Sequence, residues 1–245
     1  MKNIDSRRRK AIVVGATSGI GRGLAEVLVK NGYLVGITGR RAEKLAELKA
    51  QQPDSFCIAA FDVCDTNSVV QNLEKLVAEL GGLDLLVINS GTGHRNPTLD
   101  FEKERTAIDV NVTGFTRVAG WAFSFFAKQK SGHLAAVSSI AGIRGNRYAP
   151  AYGATKAFQI NYLESLRAKA RKEGLPITVT DIRPGFVDTA MAQGDSLFWV
   201  APVKKATVQI YKAIKAKKQI AYVTKRWRYV AIAMKIMPKY LFIRI

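Results

Sequence analysis

At 245 residues, 48 % of them apolar, the chain can bury a substantial core in one large α/β domain and fits two small domains less well. Its two cysteines, Cys57 and Cys64, are too few and too close together to staple a fold of this size, and Met1 to Lys10 is polar and basic, unlike a secretory signal; reduced thiols and a cytoplasmic setting are expected. The net charge of +19 is weighted to one end: no acidic residue follows Asp195, and the last fifty residues carry twelve Lys/Arg, a field that draws anionic partners.

Along the chain, short β-rich apolar runs alternate with longer amphipathic segments, the pattern of a parallel sheet covered by helices. Ala11 to Gly15 reads as the first strand. Gly15-Ala16-Thr17-Ser18-Gly19-Ile20-Gly21 follows it and opens a helix that begins near Ile20 and ends at Asn31-Gly32. A glycine-rich turn in that position lets backbone approach a pyrophosphate, with the helix-terminal amides as donors. Tyr33 to Thr38 is the second strand and Ala42 to Ala50 the second helix. Between them, Thr38-Gly39-Arg40-Arg41 has no carboxylate for a ribose 2′-hydroxyl and offers two guanidinium groups to a 2′-phosphate. Of the two, Arg41 is the better candidate for the solvated start of a helix.

Phe56 to Val63 is the third strand. Asn67 to Leu80 carries Val69, Leu73, Leu76, Val77 and Leu80 at helical spacing, and Leu83 to Asn89 is apolar enough for a central strand buried on both faces. A long helix is expected from about Arg105 to Lys128, then a strand at His133 to Val137, a helix over Ala151 to Lys172 and a strand at Ile177 to Ile182. A helix over Lys204 to Lys217 and a last strand at Ile220 to Thr224 complete the pattern. The expected architecture is α/β: a Rossmann-type doubly wound parallel sheet of about seven strands with helices on both faces. It occupies residues 1–224 as one domain, and a basic, apolar and helical tail follows over residues 225–245.

Tyr152 and Lys156 stand four apart on one helix face, a spacing that alone means little. Upstream, Ser138-Ser139-Ile140-Ala141-Gly142 ends a strand, and Asn111 lies within Val110-Asn111-Val112-Thr113-Gly114. With the spacing of Gly15, Gly19 and Gly21, these segments resemble the short-chain dehydrogenase/reductase family over about Lys10 to Ile220. The resemblance implies a catalytic tetrad of Asn111, Ser139, Tyr152 and Lys156, and leaves Ser138 structural. It implies NADP(H) contacts from the glycine turn (Gly15, Thr17, Ser18, Gly19, Ile20, Gly21), from Arg40 and Arg41, and from Asp62 and Val63 at the adenine. Asn89, Ser90 and Gly91 are further contacts, although Ser90 departs from the usual family segment and Asn89 is expected to be partly structural. Tyr152 and Lys156 join them, and Pro184, Gly185, Val187 and Thr189 form a loop over the nicotinamide.

The chemistry needs these residue types, because a carbonyl that accepts hydride must also receive a proton. A tyrosine with pKa ~10 serves near neutrality only with help, here expected from the Lys156 cation and the oxidised nicotinamide. Ser139 would polarise the carbonyl, and Asn111 would hold a water linking Lys156 to solvent. The implied activity is an NADPH-dependent carbonyl reductase, reversible as an alcohol dehydrogenase; the alternative is a non-catalytic NADP(H)-binding protein on the same fold. His94 and His133 lack metal-ligand partners, and no zinc site is expected.

Substrate choice falls to the segment of about 189–204 and the tail, where Phe186, Met191, Leu197, Phe198 and Trp199 suggest an apolar pocket or lid. No run in the tail reaches the ~18 apolar residues of a membrane span. Trp227, Tyr229 and Tyr240 among Lys and Arg suit a helix lying on an anionic membrane surface, and packing against the body is the other reading. A homodimer or homotetramer is expected from the family, an acidic acyl carrier also suits the charge, and no nucleic-acid motif is seen.

Overall fold

The computed structural model describes residues 8–192 and 197–244. The N-terminal segment before Arg8 and the centre of the expected substrate loop, 193–196, lie outside the described residues. Seven strands form one sheet: β1 (Arg9–Val14), β2 (Tyr33–Gly39), β3 (Phe56–Ala60), β4 (Leu85–Ile88), β5 (Gly132–Val137), β6 (Ile177–Pro184) and β7 (Ile220–Val223). All pairings are parallel, in the order β3-β2-β1-β4-β5-β6-β7.

Successive side chains of a strand face opposite sides, and a parallel sheet is covered on both. In β1, Ala11 and Val13 therefore join one core while Ile12 and Val14 join the other. The first core is closed by α1 (Gly19–Lys30), α2 (Ala42–Gln51) and α7 (Val203–Lys215), through Leu24, Leu28, Leu45, Leu48 and Ile210. The second is closed by α3 (Thr66–Leu80), α5 (Phe115–Gln129) and α6 (Pro150–Lys172), through Leu73, Leu76, Phe115, Phe126 and Leu163. Strand order runs outward in opposite directions from β1 and β4, which opens a crevice at their carboxyl ends.

Three expected boundaries move. The helix expected over Arg105–Lys128 begins earlier, as α4 (Phe101–Ile108), where the Asp100 carboxylate caps it by accepting from the Glu102 amide at 3.0 Å. It then passes through a π-helical turn (Asp109–Gly114) before continuing as α5. β3 stops at Ala60, and the chain beyond it turns as Asp62 accepts from the Cys64 amide at 3.0 Å. β4 spans only Leu85–Ile88; past it, the amides of Asn89 and Ser90 both donate to the Val14 carbonyl, so the ladder ends there.

After β7 come α8 (Trp227–Ile236) and, past Pro238, α9 (Lys239–Phe242). Among the described residues no helix is long and apolar enough to cross a membrane. Trp227 is 1 % exposed and Ala231 fully buried, so one face of α8 is seated on the body. The Arg144 guanidinium anchors its end, donating to the carbonyls of Met234 (2.7 Å), Lys235 (3.0 Å) and Met237 (2.7 Å).

Candidate active site

The crevice holds a cavity of about 610 Å³ whose wall begins at the turn after β1. Gly15, Thr17, Ser18, Gly19 and Ile20 line it; Gly21 lies beneath. A Cβ on Gly21 would come within 2.0 Å of the Gly15 carbonyl oxygen and 2.5 Å of Asn89 Nδ2. That close approach is what the third glycine permits, and it lets Asn89 Nδ2 donate to Gly15 O at 2.7 Å, tying the end of β4 to the turn. Asn89 also lines the cavity beside Ser90 and Gly91, so it has a structural bond and a cavity face together.

Arg40, Arg41, Asp62 and Val63 form the far end of the cavity. A Cβ on Gly39 would stand 2.6 Å from Thr17 Cγ2, so any side chain at that strand end would have to push the Thr17 methyl aside. Arg40 pairs with Asp62 at 3.4 Å and is largely exposed. Arg41 does not simply start a solvated helix: its guanidinium donates to Thr17 Oγ1 at 2.5 Å and Ser18 Oγ at 2.9 Å, returning to the glycine turn. The hydroxyls of Thr38 and Ser90, both in the cavity wall, are buried with no protein partner among the described residues, as expected where a polar ligand completes the site.

At the inner end, Lys156 lines the cavity and is 3 % exposed. Its ammonium donates to Val137 O at 3.1 Å and to Gln159 Oε1 at 2.9 Å. Burial lowers its pKa to about 8, against the attraction of Asp181. Tyr152 stands beside the cavity lining, its ring against Gly93 and its phenol near the Ser139 hydroxyl, which itself accepts from the Ala141 amide at 3.1 Å. The expected lowering of the phenol is absent from the protein by itself. Burial raises Tyr152 above its ordinary value, Ser139 only partly opposes this, and the Lys156 ammonium, 5.8 Å from the ring centre, is directed to other acceptors.

Asn111 lies in the π-helical turn, fully buried. Its side chain accepts from the Thr92 amide (2.9 Å) and donates to Thr92 O (2.7 Å) and Thr155 Oγ1 (3.0 Å), joining the loop after β4 to α6. Its carbonyl accepts from Gln159 Nε2 at 2.9 Å. Ser138 is a buried buttress: its hydroxyl donates to Asp181 at 2.5 Å and Ile182 O at 3.1 Å. Asp181 in turn accepts from Arg183 at 2.6 Å, a pair almost wholly buried.

Of the loop over the inner end, Thr189 lines the cavity, its methyl set against Gly19, while Pro184, Gly185 and Val187 do not reach the lining. Val187 bridges to Ala201. Met191 lines the cavity as well, and Phe186, Phe198 and Trp199 form an aromatic cluster. Trp227 of the tail completes it, with ring centres 5.5 Å from Phe186 and 5.0 Å from Phe198. His94 is an exposed loop residue, 3.4 Å from the Thr92 hydroxyl, and His133 is buried against Thr180 at 2.8 Å. Both cysteines are free thiols.

Sequence reasoning missed Gln159, Asp181, Arg183 and Thr155. None belongs to a motif with a chemical signature, and only the fold brings them to the site.

The short chain dehydrogenase family profile matches residues 9–197; it does not reach the tail and gives no support for a basic amphipathic segment there. Over 188 residues the chain is 39 % identical to "Uncharacterized oxidoreductase" of Myxococcus xanthus (strain DK1622), covering 75 % of this chain and 74 % of that one. It is 30 % identical over 231 residues to "Nodulation protein G" of Rhizobium sp. (strain N33), covering 88 % and 92 %. Among solved structures, the closed form of serine dehydrogenase complexed with NADP+ superposes with a TM-score of 0.79 at 27 % identity, covering 87 % of this chain and 93 % of that one. A family match across most of the chain, on an all-parallel doubly wound sheet, establishes that the protein belongs to the short-chain dehydrogenase family of oxidoreductases.

Proposed function

We propose that the protein is an NADPH-dependent carbonyl reductase, working in reverse as an alcohol dehydrogenase, with Asn111, Ser139, Tyr152 and Lys156 as its tetrad. One observation carries the reading. A single cavity runs from a glycine turn flanked by Arg40 and Arg41 to the buried Lys156, beside which Tyr152 and Ser139 stand close together. The hydroxyls of Thr38 and Ser90, unpartnered among the described residues, the two guanidinium groups and the lack of a carboxylate at Gly39 suit a dinucleotide with a 2′-phosphate. The NADP+ in the related serine dehydrogenase structure supports the same choice.

When bound, NADPH supplies the hydride. Ser139 donates a hydrogen bond to the substrate carbonyl oxygen, and the Tyr152 hydroxyl gives that oxygen its proton as the carbon is reduced. The phenolate left behind is stabilised by the Lys156 cation, which also binds the nicotinamide ribose. Tyr152→Phe should bind NADPH within about twofold of the parent and lose turnover by ~10² or more, the range of a general acid. Clear residual reductase activity overturns the assignment.

The substrate in this reading is a ketone with an apolar or acyl chain, seated toward Met191 and the aromatic cluster; NADPH oxidation across carbonyls graded by chain length tests it. The partners proposed are further copies of this chain, as a homodimer or homotetramer through α5 and α6, where Phe158 is exposed and stacked on Tyr162. The tail is proposed to hold a cytoplasmic enzyme at an anionic membrane surface, with an acidic acyl carrier as the competing partner.

A further inference from the structure

Two of the tetrad residues, Lys156 and Asn111, are linked by a side chain outside the tetrad. Gln159 follows Lys156 by three positions on α6, close to one helical turn, and is 1 % exposed. Its carbonyl oxygen accepts from the Lys156 ammonium at 2.9 Å, and its amide nitrogen donates to the Asn111 carbonyl at 2.9 Å. Only one orientation of the amide satisfies both contacts, since the reverse would set NH₂ against NH₃⁺ and oxygen against oxygen. We propose that Gln159 is a positioning residue for Lys156, clamping the ammonium to the π-helical turn and favouring its charged form.

The bonds around Lys156 leave this work to Gln159. A lysine ammonium has three protons to place. One goes to Val137 O and one to Gln159, which leaves the third for the cavity that Lys156 lines. Asn111 makes no direct hydrogen bond to Lys156. Its side chain is committed to Thr92 and Thr155, and its carbonyl to Gln159. The water implied at Asn111 by family resemblance would share this carbonyl, which has a second lone pair, with the Gln159 amide. An amide neither titrates nor relays protons near neutrality, so Gln159 contributes a fixed dipole with its negative end on the cation.

The other titratable or charged groups facing Lys156 are few. Tyr152 comes from its own helix, and Asp181 from β6 is already engaged by Ser138 and Arg183. The π turn and the loop after β4 bring the neutral Asn111 and Thr92. Burial disfavours the ammonium, so loss of the Gln159 dipole should be felt directly in its titration.

The inference rests on the reading in which Lys156 serves Tyr152, but its first test does not depend on it. In cofactor-free, full-length protein labelled with ¹³C/¹⁵N-lysine, the Lys156 side-chain signal is identified by its loss in Lys156→Arg and followed through pH. Gln159→Leu, close in size but without the dipole, should lower its midpoint by about one pH unit, and Gln159→Glu should raise it by a similar amount. In turnover, activity is lost as pH rises through the Lys156 midpoint, so that limb should move down for Gln159→Leu and up for Gln159→Glu. Midpoints unmoved, or moved the same way in both variants, overturn the proposal. If Gln159→Leu fails to fold, the rise required of Gln159→Glu still decides it. Residual activity in Tyr152→Phe would remove the catalytic reading while leaving the Lys156 titration untouched, which separates the two failures.

Discussion

Two adjacent guanidinium groups do different things in this site. Arg40 is 69 % exposed and shares its charge with Asp62, whereas Arg41 is drawn onto Thr17 and Ser18 at the turn. A 2′-phosphate would gain a charge-assisted hydrogen bond from either, worth ~1.5–3 kcal/mol where solvent is excluded and less here, where both side chains are exposed. Because its guanidinium already reaches the glycine turn, Arg41→Ala should weaken NADPH by about fivefold and NADH by less than about twofold, with a smaller NADPH loss for Arg40→Ala. Fluorescence titration of both cofactors against each variant measures this; equal losses for NADH and NADPH would remove the 2′-phosphate role. The composition of the segment was legible, since a strand end without a carboxylate and with two arginines already indicates the chemistry. Which arginine turns back to the glycines was not, because adjacency in sequence does not determine the direction of a long side chain.

Elements were legible where burial repeats with a period. β1, β2 and β4 are covered on both faces and show continuous apolar runs, and α3 displays its core stripe plainly. The π-helical turn was not, because inserting one residue shifts the stripe without breaking its apolar character, and Asn111 is aimed inward by that turn. The polar links between β5 and β6 were equally hidden. His133 on β5 is bonded to Thr180 on β6, and burial lowers its pKa to about 4. The folded protein therefore binds fewer protons than the unfolded chain between about pH 6.5 and pH 4, where an unfolded histidine is charged. Stability contributed by the neutral ring is present above pH 6.5 and lost progressively as pH falls through this window. The loss from pH 7 to pH 5 should be about 2 kcal/mol. Urea unfolding should show that loss in the parent and a flatter pH dependence in His133→Gln, which can still donate to Thr180; identical slopes would exclude His133 as the source.

The whole molecule concentrates charge where the family match ends. Residues 198–244 carry no acidic side chain, and α8, α9 and the turn after them expose Tyr229, Ile232, Ile236, Tyr240 and Ile243 among Arg228, Lys235, Lys239 and Arg244. The opposite face of α8 is spoken for: Trp227 packs among Phe186, Phe198 and Trp199, and Arg144 holds the helix end. Packing on the body and an outward apolar face thus coexist in one helix, and the proposed membrane contact concerns the outward face alone. Deleting the tail would also remove Trp227 and unsettle the aromatic cluster, so a surface variant is the cleaner test. Ile232→Ser with Ile236→Ser, and separately Lys235→Glu with Lys239→Glu, leave Trp227 and Ala231 in place. Each basic residue near an anionic surface contributes about 1 kcal/mol, so reversing two should reduce binding to phosphatidylserine-containing vesicles by at least about tenfold. Flotation should show the parent bound to those vesicles, released by high salt, and weakly bound to neutral ones. A parent that never floats removes the membrane role, and a dimer that dissociates in the serine variant would assign the same face to a second copy of the chain.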